Sequence, residues 1–199
     1  MAGSPVTEGT NNMTDSDNLK NQLATAHAQI AEMQNKINEL EALAVTDPVT
    51  NLMNRRGFEK FFAQEQARMR RHDVPGSVLL LFDLDKFKEI NDTHGHLAGD
   101  ACLKKIGDFL RGRLRTLDGA ARIGGDEFAV LLSHTDPEKA AVAISEMKAI
   151  LSDMDATWQD KKLHFSASVG VEYITAEGTY ESACHAADLS LYTSKKAKR

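Results

Sequence analysis

Arg122-Ile-Gly-Gly-Asp-Glu-Phe-Ala-Val-Leu-Leu132 is the stretch from which the rest of the chain is read. Two glycines separate a short strand from a longer apolar one, which predicts a hairpin over 119–133 with Gly124 and Gly125 in a tight turn. Asp126 and Glu127 follow at once, where nothing apolar covers them. Without Cβ atoms at the two glycines, a phosphate can approach the backbone and meet inward-pointing N–H groups. Adjacent carboxylates repel that phosphate unless a divalent cation lies between them, so the stretch asks for Mg²⁺ and a nucleotide. Taken alone, it also reads as an ordinary hairpin with two solvated acids.

Ser77-Val-Leu-Leu-Leu-Phe-Asp-Leu-Asp85 supplies the second half. A strand this apolar on both faces lies centrally in a sheet, covered on each side. Its end delivers Asp83 and Asp85 from a rigid element, as a metal site requires. Beside the hairpin, Asp83 would face Asp126 and Glu127, and three carboxylates converging at strand ends call for a cation. Mg²⁺ takes a few hard oxygens and keeps water or phosphate for its other positions, with the Leu84 carbonyl as a further ligand. Asp85 reads equally as the N-cap of a following short helix. Lys88 lies one short turn beyond, within reach of a metal-held phosphate, with Asn91, His96 and Asp100 on the loop and helix that follow. Asn and Asp can pair with the donor edge of guanine. The plain alternatives are a solvated lysine and capping or turn residues.

These residues carry a resemblance to the GGDEF-domain diguanylate cyclases, over roughly residues 46–199. Asp47-Pro-Val-Thr-Asn-Leu-Met-Asn-Arg-Arg56 resembles the family's opening D-x-L-T-G-L-x-N-R-R. Phe82-Asp83-Leu84-Asp85, Phe87-Lys88, Asn91-Asp92, Gly95-His96 and Gly99-Asp100 match its F-D-x-D, F-K, N-D, G-H and G-D, in order. Gly124 to Phe128 is the unaltered motif, and Ala187-Asp188 through Leu191-Tyr192 to Lys195 resembles the closing A-D-x-A-L-Y-x-A-K.

The resemblance implies an α+β, palm-like cyclase fold with a mostly antiparallel sheet, its active site at the hairpin edge, joining two GTP molecules into cyclic di-GMP. It places Mg²⁺, with Mn²⁺ as an alternative, on Asp83, the Leu84 carbonyl and Asp126, supported by Glu127. Phe87, Asn91, His96 and Asp100 would serve the guanine side. Lys88, Lys195 and Arg199 would meet the phosphates, admitted by Gly124 and Gly125. Lys88, Asp126 and Glu127 carry the catalysis in this reading. Two departures stand out: Val49 and Asn51 replace the usual Leu and Gly, which alters a turn, and the tail after Lys195 lacks the family's glycine.

Ring closure needs two nucleotides, hence two protomers face to face. Leu19, Leu23, Ala26, Ile30, Met33, Ile37, Leu40 and Ala44 alternate spacings of four and three over more than three heptads. That pattern predicts a dimeric coiled coil over 17–45, about 39 Å long. The alternative, an amphipathic helix lying on its own domain, is disfavoured by so narrow an apolar seam. Arg115 and Asp118 form an R-x-x-D that ends shortly before the Gly-Gly turn and resembles the family's inhibitory site for cyclic di-GMP. An arginine ending a helix and an aspartate beginning a turn are the plain reading of the same pair.

At 199 residues, with net charge −5, the chain accommodates a catalytic domain after a stalk and offers nucleic acid no basic surface. Cys102 and Cys184 lack metal spacing and read as reduced thiols of a cytoplasmic protein. No apolar run is long enough to span a membrane and no signal peptide precedes the stalk. Residues 1–16 are polar and small, and predict disorder. Further predicted elements are helices at 55–72, 86–91, 97–115, 137–154 and 180–197, and strands at 77–84 and 163–174. The rival functions are a catalytically silent cyclic di-GMP receptor and a signalling scaffold.

Overall fold

The computed structural model describes residues 11–43, 45–72 and 76–197. The chain divides into two compact units, Met1–Ala44 and Val45–Arg199. The first holds α1 (Asn11–Leu43), which begins inside the stretch expected to lack structure; residues 1–10 of that stretch lie outside the described residues. Leu19, Leu23, Ile30, Met33, Ile37 and Leu40 are each 47–68% exposed along it.

The second unit runs β1 (Met53–Asn54), α2 (Arg55–His72), β2 (Ser77–Leu84), α3 (Phe87–His94), α4 (His96–Arg113), β3 (Gly119–Arg122), β4 (Glu127–Leu132), α5 (Pro137–Leu151), β5 (Met154–Trp158), β6 (Lys161–Phe165), β7 (Ala167–Ile174) and α6 (Tyr180–Ala197). Five strands form one sheet in the order β1-β3-β4-β2-β7, while β5 and β6 pair separately. Only the β1–β3 pairing is parallel.

β2 lies between β4 and β7 because neither of its faces tolerates water. Val78, Leu80, Phe82 and Leu84 join Phe128 and Val130 in a core shared with Cys102, Leu103, Ile106 and Leu110 of α4, Met147 and Leu151 of α5, and Leu163 and Phe165 of β6. Leu79 and Leu81 point the other way, onto Phe58 and Phe62 of α2 and Ala187 and Leu191 of α6. Each such side chain, fully buried, contributes about 1.5–3 kcal/mol. Helices on both faces of a mostly antiparallel sheet make the fold α+β. α5 starts where expected because Asp136 accepts from the Lys139 N–H at 2.8 Å and Pro137 occupies the first turn.

Four expectations are corrected. Residues 163–174 are not one strand: the chain breaks at Ser166 between β6 and β7. β6 instead turns back onto β5 through Gln159 and Asp160, both left-handed at φ 46° and 61°. Consequently α5 stops at Leu151, freeing Met154 to begin β5. α3 begins only at Phe87 and extends to His94, since Lys86 is itself left-handed (φ 57°). α4 ends at Arg113 because Leu114 is extended (ψ 145°), leaving Arg115 outside the helix.

Candidate active site

Strand alternation places Asp83. It follows Leu79 and Leu81 on the face that packs against α6, and Lys195 stands one helical turn beyond Leu191 on that helix. The Lys195 Nζ lies 2.5 Å from Asp83 Oδ1. Burial pushes the Asp83 carboxyl above its ordinary range; Lys195 pulls it down, and the charges of Asp126 and Asp85 raise it further. Desolvation outweighs the ion pair with Lys195, so among the described residues the charge of this carboxylate is only partly compensated.

Asp83, Leu84, Asp85, Lys86, Phe87, Lys88, Asp126, Ser152, Ser166 and Lys195 line one open cleft of about 690 Å³, a volume ordinary for a small-molecule site. Asp126 reaches it from the tip of the hairpin, where the Leu84 N–H donates to the Asp126 carbonyl at 3.2 Å. Four residues, 123–126, connect β3 to β4, and neither Gly124 nor Gly125 has a positive φ, so the turn is wider than the expected tight pair. The Gly124 N–H donates within the hairpin, to the Glu127 carbonyl at 3.3 Å, and does not face the cleft as an empty donor.

Glu127 lies opposite Asp83 in register, yet its carboxylate folds back over Gly124, where any Cβ would collide with it. Among the described residues no three of His, Cys, Asp and Glu gather as a cation site. The expected convergence of three carboxylates is therefore corrected: Asp83 and Asp126 share the cleft, and Glu127 does not line it. Nor does Asp85 cap α3, which has no side-chain cap. Its oxygens accept from the Ser166 and Ser168 hydroxyls, each at 2.6 Å.

Phe87 and Lys88 open α3 at the cleft. Asn91, His96 and Asp100 lie farther along α3 and α4 and do not line it. Asn91 sits against Gly99, where a Cβ would strike its Oδ1. That Oδ1 is buried without a hydrogen-bond partner. Arg199 lies outside the described residues.

Arg115 and Asp118 line a second cavity, about 200 Å³, with Arg113, Ser133, Lys139 and Glu146 among its walls. The Asp118 carboxylate accepts from the Arg115 N–H at 2.9 Å and the Ser133 N–H at 3.1 Å, so Asp118 closes the turn that Arg115 opens, where the plain reading had Arg115 ending a helix and Asp118 beginning a turn. The Arg115 residue is exposed.

Sequence reasoning missed the brace behind the hairpin tip. Arg122 donates Nε and Nη2 to the Gly125 carbonyl at 3.1 and 2.7 Å, and Nη1 to Asp47 at 3.3 Å. Arg55 donates to the Ile123 carbonyl at 2.9 Å. The opening motif thus has a mechanical reason to accompany the hairpin motif, a link its charged residues could have suggested.

A family model described as "Diguanylate cyclase, GGDEF domain" matches residues 44–199. The chain is 40% identical over 157 residues to the diguanylate cyclase DgcP of Pseudomonas aeruginosa, covering 78% of this chain and 23% of that protein. It is 35% identical over 184 residues to the cyclic di-GMP phosphodiesterase NbdA of the same organism, covering 91% and 22%. A solved structure of the coiled coil and GGDEF domain of DgcB from Caulobacter crescentus in complex with c-di-GMP superposes with TM-score 0.72 at 25% identity, covering 91% of this chain and 96% of that one. The chain spans less than half the length of the curated relatives it matches first.

Proposed function

Because the chain belongs to the GGDEF domain family, we propose that it is a diguanylate cyclase condensing two GTP into cyclic di-GMP and two pyrophosphates. The observation that carries this reading is the shared cleft of Asp83, Asp126, Lys88 and Lys195, in which Asp83 is short of positive charge. A divalent cation, Mg²⁺ with Mn²⁺ as an alternative, would be held by Asp83, Asp126 and the Leu84 carbonyl. It supplies neutralisation of the triphosphate and acidifies a bound hydroxyl.

The chain's own residues do the positioning. Lys195, now paired with Asp83, exchanges that carboxylate for a phosphate oxygen once the nucleotide enters. Lys88, exposed at the start of α3, meets the phosphates from the other side. The partnerless Asn91 Oδ1 accepts from guanine, aided by Asp100 and His96. The 3′-hydroxyl of one GTP attacks the α-phosphorus of the other and pyrophosphate leaves, with Asp126 taking the hydroxyl proton. Each chain holds one GTP, so the apolar seam of α1 brings two copies together as a parallel coiled-coil dimer. Product bound at Arg115 and Asp118 holds the domains apart from that encounter.

Incubation with GTP and Mg²⁺ followed by chromatography should yield cyclic di-GMP. Asp126→Ala should lose product by at least about a hundredfold while its melting curve remains cooperative. Binding of cyclic di-GMP with no turnover in the parent would make the chain a receptor instead.

A further inference from the structure

Asp85 is carboxylate-bearing and lines the same cleft as Asp83, yet its hydrogen bonds point to a different duty. Ser166 donates to Oδ2 and Ser168 to Oδ1, both at 2.6 Å, and the Asp85 N–H donates to the Ser166 carbonyl at 2.9 Å. Ser168 is fully buried and Ser166 is the single residue between β6 and β7. Three hydrogen bonds therefore fasten residue 85 to the β6–β7 junction.

The fastening has a geometric consequence. In a trans peptide the C=O and N–H point in opposite directions. An Asp85 N–H aimed at the β6–β7 junction leaves the Leu84 carbonyl aimed at the opposite side, where the hairpin stands. The Leu84 N–H agrees with that direction by donating to the Asp126 carbonyl at 3.2 Å. The next residue, Lys86, is held left-handed at φ 57°, ψ 28°, a conformation unfavourable for an ordinary side chain. Without an anchor, the turn at 84–86 would relax and the Leu84 carbonyl would swing away from Asp126.

We propose that Asp85, clasped by Ser166 and Ser168, is a positioning residue that aims the Leu84 carbonyl and the Asp83 carboxylate into the cleft, and is not itself a ligand of the cation. This deepens the reading above, on which it rests. The two roles make opposite demands on chemistry. A clasp needs hydrogen-bond capacity, which asparagine keeps; a carboxylate ligand also contributes a negative charge to the cation, which asparagine lacks.

The test compares Asp85→Asn, Asp85→Ala, the pair Ser166→Ala with Ser168→Ala, and the triple Asp85→Ala, Ser166→Ala, Ser168→Ala. Two measurements are made: affinity for a non-hydrolysable GTP analogue with Mg²⁺, and amide hydrogen exchange over 84–88 in nucleotide-free protein. Asp85→Ala and the serine pair should each weaken binding on the order of 10–100-fold, as loss of an outer-shell support does. Both should accelerate exchange over 84–88. The triple should be no worse than Asp85→Ala, since all three groups serve one device. Asp85→Asn should stay within about threefold of the parent, a small fraction of that loss. An Asp85→Asn protein as weak as Asp85→Ala, or a serine pair with unchanged exchange, would overturn the proposal. If the parent itself binds no nucleotide, the functional reading fails, while the exchange profile still decides the clasp.

Discussion

Asp83 shows how one residue serves folding and function in opposite senses. Its carboxyl titrates above the ordinary value of 3.8, chiefly through burial. A raised value in the folded state means that folding favours the protonated acid, so its favourable contribution is complete below about pH 3.8 and is lost as pH rises through the folded value. Above that range the metal-free protein carries a half-buried charge that Lys195 only partly offsets. Asp83→Asn should melt at a higher temperature than the parent near pH 7 without added metal, and the advantage should vanish in acid. An advantage that persists undiminished at low pH would show that the charge is not its source. Asp83 and Asp126 could be brought together from sequence alone, because a buried strand can end in an acid only where something polar meets it. Asn51 stands at φ 54°, where asparagine is the side chain best able to replace glycine, so this replacement is compatible with the backbone a glycine would adopt. Glu127 and Asp85 were not legible, because the direction of a carboxylate at a strand end depends on its surroundings in space. Gly124 leaves room for one to fold back, and Ser166 and Ser168 reach the other from a distant strand.

Among elements, the ones legible in advance were those with an unambiguous period. Both α2 and β2 begin and end as read, at Arg55–His72 and Ser77–Leu84. The β5–β6 hairpin was not legible: Gln159-Asp160 lacks the glycine that usually marks such a turn, and Met154 continues the apolar run of α5. Lys86 likewise hid the start of α3, since nothing in a lysine announces a left-handed backbone. The contact that sets Lys195 over Asp83 is the packing of α6 on β7. Gly170 makes it close: a Cβ there would stand 2.6 Å from the Leu191 amide nitrogen and run into the Ala187 carbonyl. Both obstacles are backbone, so no rotamer change relieves them. Gly170→Ala should cost at least about 1–3 kcal/mol in a denaturant titration, with unchanged slope. It should also weaken nucleotide binding by displacing Lys195, and an unchanged midpoint would refute the tight β7–α6 contact.

For the whole molecule, the proposed reaction needs two bound nucleotides, and the described residues form one cleft proposed to hold a nucleotide. The exposed apolar seam on α1, with Ile30 62% and Met33 66% exposed, is what the dimer proposal uses. Ile30→Lys places a charge in that seam. It should sediment as a monomer and lose cyclase activity, while its nucleotide affinity and the melting of the catalytic unit stay as in the parent. A monomeric variant with full activity would remove the stalk from the mechanism. The central claim is narrower than dimerisation: Asp83 and Asp126, helped by the Leu84 carbonyl, hold one cation-bound guanine nucleotide per chain. Titration calorimetry with a non-hydrolysable GTP analogue, with and without Mg²⁺, tests it most directly. One analogue should bind per chain in the presence of Mg²⁺, and binding should collapse on chelation and in Asp126→Ala. Undiminished binding by Asp126→Ala, or no Mg²⁺-dependent binding by the parent, would contradict it.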